Sequence, residues 1–174
     1  MVKGGYVKPG KRPVLRVPFS PLEVILEVMA LVGVLFSILF VALSWPDMPP
    51  TIPTHFGASG RADAWGGRET LFILPAIAMA LVYIPMTILS RFPHLFNYPW
   101  SITEANAARQ YHLARVLLAF MKAETVWLFA YIEWQTIQVA LGKAEGLGAA
   151  FLPVFMGVVF GTLGIYVYKG YKER

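Results

Sequence analysis

The sequence contains no cysteine, which excludes a disulfide-stapled secreted module and any thiolate metal or redox centre. Charge is scarce as well. Asp, Glu, Lys and Arg make up 14% of the 174 residues and hydrophobic residues 57%, whereas soluble chains carry about 25% charged residues. That balance excludes a disordered chain and argues against a water-soluble enzyme. The GxSxG elbow, the Walker A loop, HExxH, CxxC and CxxCH are all missing, and nothing resembles a nucleotide-binding fold. No catalytic residue and no cofactor is therefore expected. The net charge of +5 is placed for a membrane surface, as its distribution below shows, and nucleic acid is not an expected partner.

What the sequence has instead is long apolar runs. A bilayer core of about 30 Å takes roughly 20 helical residues, because unpaired backbone groups cannot be left in lipid. Four stretches are long enough, and none shows the period-2 alternation of a membrane barrel. The expected fold is an all-α membrane protein with four transmembrane helices, at about residues 22–45, 71–90, 107–141 and 147–168. A structured Pro/Gly-rich loop, residues 46–70, joins the first two. Residues 1–21 form a basic N-terminal segment, either lying along the headgroups or solvated, and 169–174 a short tail.

Lys and Arg set the orientation. Lys3, Lys8, Lys11, Arg12, Arg16, Arg91, Arg109, Lys169, Lys172 and Arg174 fall on one side; Arg61, Arg68 and Lys143 fall on the other. Both termini are thus expected in the cytoplasm, with the 46–70 loop outside a cell membrane crossed four times. The N-terminus does not read as a cleavable signal, since its apolar run is too long and no small-residue cleavage site follows.

The outer loop, PDMPPTIPTHFGASGRADAWGGRET, is rich in proline and glycine and is expected to hold one turn-rich, non-helical shape. His55, Arg61 and Asp63 are its most reactive polar groups, and Trp45 and Trp65 bracket it. His55 and Asp63 either converge on a metal or proton, or serve the turn itself, an ordinary use of Asp in loops. Zinc sites take three or four protein ligands. The loop offers one good ligand, so no metal is expected.

The run Trp45-Pro46-Asp47, Ile52-Pro53-Thr54-His55-Phe56, Gly60, Asp63, Trp65-Gly66 resembles the signature of the SdpI-related bacterial and archaeal membrane proteins, whose N-terminal unit is domain of unknown function 1648. Asn97-Tyr98-Pro99, Glu104, Arg115 and Lys122 are similar to a weaker motif after that family's second helix. The resemblance covers roughly residues 22–122. It implies a non-enzymatic binding, sensing, immunity or accessory-subunit role, with His55, Gly60, Arg61, Asp63 and Trp65 as the recognition element. The best-known relative confers immunity to a secreted toxin and carries further helices.

The third helix holds charge inside an apolar run. At 100° per residue, Glu124, Tyr131, Gln135 and Gln138 share one face, and Arg115, Lys122 and Glu133 the opposite one. Charges at mid-bilayer face protein or water, so this helix is expected at the centre of the bundle or against another subunit. Glu23 and Glu27, four apart on helix one, are expected partners for the basic face, with Glu27 pairing to Lys122 or Arg115. Glu124 has no evident partner unless it bonds Tyr131 or a backbone carbonyl. A polar face carrying Glu124 and Gln135 also admits a proton- or ion-conducting element, most simply through a cavity linking it and Gln138 to His55 and Asp63. Pro75 and Pro85 predict kinks in helix two, and Ser101 or Thr103 is expected to cap helix three. Gly157 and Gly161 of helix four, followed by Gly164, predict close helix approach within the chain, in a homo-oligomer or in a larger membrane complex.

Overall fold

The structure is a computed structural model that describes residues 12–174; the first eleven residues of the expected basic segment, with Lys3, Lys8 and Lys11, lie outside the described residues. Residues 12–20 are neither helix nor strand and are fastened to the bundle. The Tyr111 hydroxyl donates to the Pro13 carbonyl (2.8 Å), and Arg115 donates to the carbonyls of Val17 (2.6 Å) and Pro18 (2.9 Å).

Helix α1 spans Pro21–Ser44 and runs on into a 3-10 turn, Trp45–Asp47. Its start is written in the sequence: Ser20 caps it, Pro21 takes the first turn where no N–H is needed, and Glu23 closes a capping box. A two-stranded antiparallel hairpin follows, β1 Thr51–Phe56 and β2 Ala62–Gly67. The outer loop is therefore ordered and non-helical as expected, but it is built of strands. Their register is irregular around His55, where Ala64 is the partner on β2.

The second helical segment, α2 (Arg68–Leu89), changes its winding three times. It starts as a 3-10 turn over Arg68–Phe72, becomes α-helical over Ile73–Ile77, widens to a π-helix over Ala78–Tyr83 and closes as α-helix over Ile84–Leu89. The expected effects of Pro75 and Pro85 thus surface as altered winding. Pro85 has no N–H to give Leu81, and the wider turn directly before it accommodates that loss.

Helix α3 spans Ala107–Ala140. Neither Ser101 nor Thr103 caps it, contrary to expectation. Asn106 holds the cap position and its amide ties down the preceding turn, accepting from the Thr103 N–H (2.8 Å) and donating to the Ser101 carbonyl (3.0 Å). Nearby, burial pushes the Tyr98 phenol above its ordinary pKa, so it stays a donor, to the Pro93 carbonyl (2.8 Å). Helix α4 spans Phe151–Lys172, beginning four residues later than the sequence suggests. The delay has a cause. Gly148 sits at φ +83°, and Gly146 pairs with Arg61 across the gap to the hairpin.

Helix α3 is the hub. Against α1 it packs through small residues, with Ala30, Ala119 and Ala123 in one buried cluster and Val34, Ala78 and Val126 in the next. Gly33 is the closest approach, since a Cβ there would lie 2.7 Å from Val126 Cγ1. Small residues let helices approach in lipid, where no hydrophobic force drives them together. The contacts advance together along both helices, so α1 and α3 run parallel; α4 lies antiparallel on the other side of α3, with Gln110 near Gly170 and Tyr131 stacked on Phe151. The expected close approach at Gly157 and Gly161 does not occur within the chain, as both are exposed with open space about them.

The hairpin is latched. Leu147 N–H donates to the Gly60 carbonyl (2.7 Å), and the Arg61–Glu145 pair (3.2 Å) lies outside that contact. A Cβ on Gly146 would sit 2.0 Å from the Gly60 oxygen. Replacing Gly146 by Ala is expected to unlatch the hairpin at a cost of roughly 1–3 kcal/mol. Limited proteolysis of the reconstituted protein should then cut faster within residues 57–61, and an unchanged rate would remove the latch.

Candidate functional site

Three polar contacts mark the seam between α1 and α3, each with at least one buried partner. At the lower end Glu23, 4% exposed, receives the Ser20 N–H (2.7 Å) and hydroxyl (2.8 Å), Arg115 Nε (2.7 Å) and Nη2 (3.0 Å). Arg115 also serves two backbone carbonyls and lies over the Phe19 ring. Every strong donor and acceptor here is used, and charges so fully paired are structural. His112 stands 3.5 Å from the same carboxylate, and His94 contributes its carbonyl to Arg12.

One turn further along, Lys122 pairs with Glu27. The Thr87 hydroxyl donates to Glu27 (2.8 Å), Lys122 Nζ lies 2.8 Å from the same hydroxyl, and the ammonium sits over the Tyr83 ring. The expected pairing between helices one and three is therefore present twice, Glu27 taking Lys122 and Glu23 taking Arg115. Thr87 and Tyr83 draw the re-wound part of α2 into it.

The third contact is different. Glu133 is 1% exposed and receives one hydrogen bond, from Ser37 of α1, to Oε2. Its Oε1 has no partner among the described residues. Glu124, on the opposite face, receives the Thr162 hydroxyl of α4 (2.5 Å) while its Oε2 has none. Tyr131 is not its partner, because that hydroxyl donates to the Leu147 carbonyl (2.9 Å) and accepts from Gln135 (3.0 Å).

On the hairpin, His55 Nδ1 and Asp63 Oδ1 are 2.6 Å apart, with side chains 68% and 54% exposed. The bulged register of β1 places them side by side across the two strands. Trp65 is exposed on β2, while Arg68 lies over the Trp45 ring and donates to the Met48 carbonyl (3.2 Å). Gly60 supplies the turn with φ +77°. Among the described residues, no group of three or more His, Asp or Glu side chains is placed to hold a metal ion.

The two polar regions meet, though through other residues than expected. A cavity under the hairpin is lined by His55 at one side and by Glu133 and Thr136 at the other; Asp63, Glu124, Gln135 and Gln138 are not part of it. Glu124 and Tyr131 instead border a separate groove beside α4. Sequence pattern alone placed Glu133 on the basic face, and no charge on α1 marked Ser37 as its partner.

Residues 32–79, which run from the body of α1 through the hairpin into α2, match a family described as Domain of unknown function (DUF1648). An uncharacterized protein of Archaeoglobus fulgidus is 40% identical over 76 residues, covering 40% of this chain and 42% of that protein. The aligned part of the chain thus spans about two-fifths of that relative's length. No solved structure matches. Three helical segments, Pro21–Asp47, Arg68–Leu89 and Phe151–Lys172, are long and apolar enough to cross a membrane. The protein is a multi-pass membrane protein, a helical bundle carrying a β-hairpin between its first two spans.

The seam has a direct test. Replacing Glu23 by Gln strips the buried Arg115 of its counter-charge and is expected to cost about 3–5 kcal/mol. Reversing either Glu27 or Lys122 alone should lower the melting temperature in detergent. Reversing both, Glu27→Lys with Lys122→Glu, should recover most of it; absence of recovery would mean the pair does not hold the helices.

Proposed function

We propose that the chain is a non-enzymatic recognition or accessory protein of the SdpI-related type, with the outer hairpin as its binding element. The observation that carries this reading is the contrast within the hairpin. Its backbone is latched to the α3–α4 loop, yet His55, Arg61, Asp63 and Trp65 stay exposed on it. Side chains held on a rigid frame lose little freedom on binding, which favours recognition.

In this reading α3 is a fourth crossing. At 1.5 Å per residue its 34 residues reach about 51 Å, more than a bilayer core requires. Its charges are tolerated because α1, α2 and α4 cover them. The parallel run of α1 and α3 supports even spacing of the crossings, with both termini in the cytoplasm of a cell with the hairpin outside its plasma membrane. The open strip at Gly157 and Gly161 offers a surface for a second copy or for a neighbouring subunit.

A second reading, a proton- or ion-conducting element on α3, draws on the two carboxyl oxygens left without partners. Glu124 and Glu133 lie nine residues apart, about 180° around the helix, and they line separate spaces. That separation disfavours one continuous path.

The cysteine-free sequence makes the topology readable. Ser59→Cys in the hairpin should label with a membrane-impermeant maleimide on intact cells, and Glu173→Cys should label only after lysis; the reverse pattern would overturn the orientation. For the binding role, a partner retained by the parent in mild detergent should be lost from Trp65→Ala, and identical co-purification from both would dismiss the hairpin as recognition element. Proteoliposomes should show no pH-driven ion flux that Glu124→Gln removes; such a flux would favour the conducting alternative.

A further inference from the structure

The cavity beneath the hairpin has a volume of about 390 Å³ and lies between β1, the start of α2, the outer part of α3 and the entry to α4. Its wall is mainly hydrocarbon, from Ile52, Phe56, Leu71, Ile132, Leu147 and Phe151. Two of the three threonine hydroxyls in that wall have already committed their protons to backbone carbonyls. The Thr70 hydroxyl spends its proton on the Gly67 carbonyl (2.8 Å) and that of Thr136 on the Ile132 carbonyl (2.9 Å). His55 turns Nδ1 toward Asp63 Oδ1, 2.6 Å away, so that ring nitrogen is engaged with a group outside the cavity lining. The exposed Thr54 hydroxyl has no such partner among the described residues.

Glu133 completes the set. It is buried, lines the cavity, and keeps one carboxyl oxygen without a donor. The terminal torsion of a glutamate is broad, so that oxygen can turn toward an occupant. Among the described residues, no Lys or Arg lines the cavity to satisfy it. A buried carboxylate half-provided with donors is expensive. The same carboxylate at the base of an apolar chamber is a counter-charge for a cation that brings its own N–H groups.

We propose that this cavity binds a small primary ammonium compound with an apolar body, its N–H groups donated to Glu133 and its hydrocarbon part held by Phe56, Phe151 and the aliphatic wall. The proposal goes beyond the hairpin's role in recognition and rests on that reading only for the side from which the ligand enters. The ammonium has two natural sources, a soluble amine and an ethanolamine lipid headgroup, and the test separates them.

The full chain is reconstituted in nanodiscs of phosphatidylcholine, a lipid without a primary amine, and titrated calorimetrically with phenethylammonium against empty discs. One saturable site is expected. The neutral 2-phenylethanol should bind about tenfold or more weakly, as should phenethylammonium to Glu133→Gln, because a charge-assisted hydrogen bond is lost in each case. Glu124→Gln, on the opposite face of α3, should bind as the parent does. Ile132→Trp, which fills the chamber and keeps the carboxylate, should abolish binding and guards against a misfolded Gln variant. Weaker probe binding in phosphatidylethanolamine discs assigns the site to the lipid headgroup, and unchanged binding assigns it to a soluble amine. Equal affinity for alcohol and ammonium, indifference to Glu133→Gln, or no saturable heat overturns the proposal. Since the titration uses no partner protein, its failure leaves the hairpin reading standing, and loss of a co-purifying partner is judged separately.

Discussion

Burying charge between two packed helices of a membrane protein is the constraint on which this structure depends. A charged side chain at the helix centre costs about 2.5–3.5 kcal/mol on insertion scales, and α3 carries Arg115, Lys122, Glu124 and Glu133. Such a helix has only one stable place, inside a ring of others. Helix α1 supplies the neutralising acids, and Glu23 does so while also closing its own N-terminal cap. One carboxylate thereby sets the start of α1, its register against α3 and the path of the strap of residues 12–20. The re-wound part of α2 then adds Thr87 and Tyr83 around the second pair.

Pairing also explains the small residues. For Glu23 to reach Arg115 and Glu27 to reach Lys122, the two backbones must come close. Gly33, Ala30 and Ser37 on α1 face Ala119, Ala123 and Val126 on α3, all buried. Trp127 fastens the seam from outside by donating to the Met29 carbonyl (3.1 Å). Small side chains at such a seam do the work that apolar bulk does in a water-soluble core. Helix α4 has no comparable seam; Gly170 is its one buried residue, while Gly157, Gly161 and Gly164 are exposed.

The parts legible in the sequence follow from strong one-dimensional signals. Uninterrupted apolar runs mark α1, α2 and α4, and the spacing of Glu23, Glu27, Arg115 and Lys122 forecasts the seam because opposite charges in lipid must meet. The hairpin strands were illegible for an equally physical reason. Prolines at 49, 50 and 53 mask the period-2 pattern, and the latch joins Gly60 to Leu147, a contact between residues without side-chain chemistry to announce it. The late start of α4 follows from that same latch. Ser37 was invisible as a partner because a hydroxyl among apolar residues carries no charge, though it is the one polar side chain in the middle of α1.

The two ends of the α1–α3 seam consequently differ in kind. At the lower end every strong polar group is used, so rearrangement there would expose buried charge without return. At the upper end Glu133 has, among the described residues, Ser37 alone and an unfilled oxygen, beneath a hairpin whose Ile52 packs with Val41 and Ile137 in the core. The unmet hydrogen-bonding capacity of the seam therefore lies at the end beneath the hairpin. The stretch that matches the DUF1648 family, residues 32–79, supplies both Ser37 and the hairpin above it.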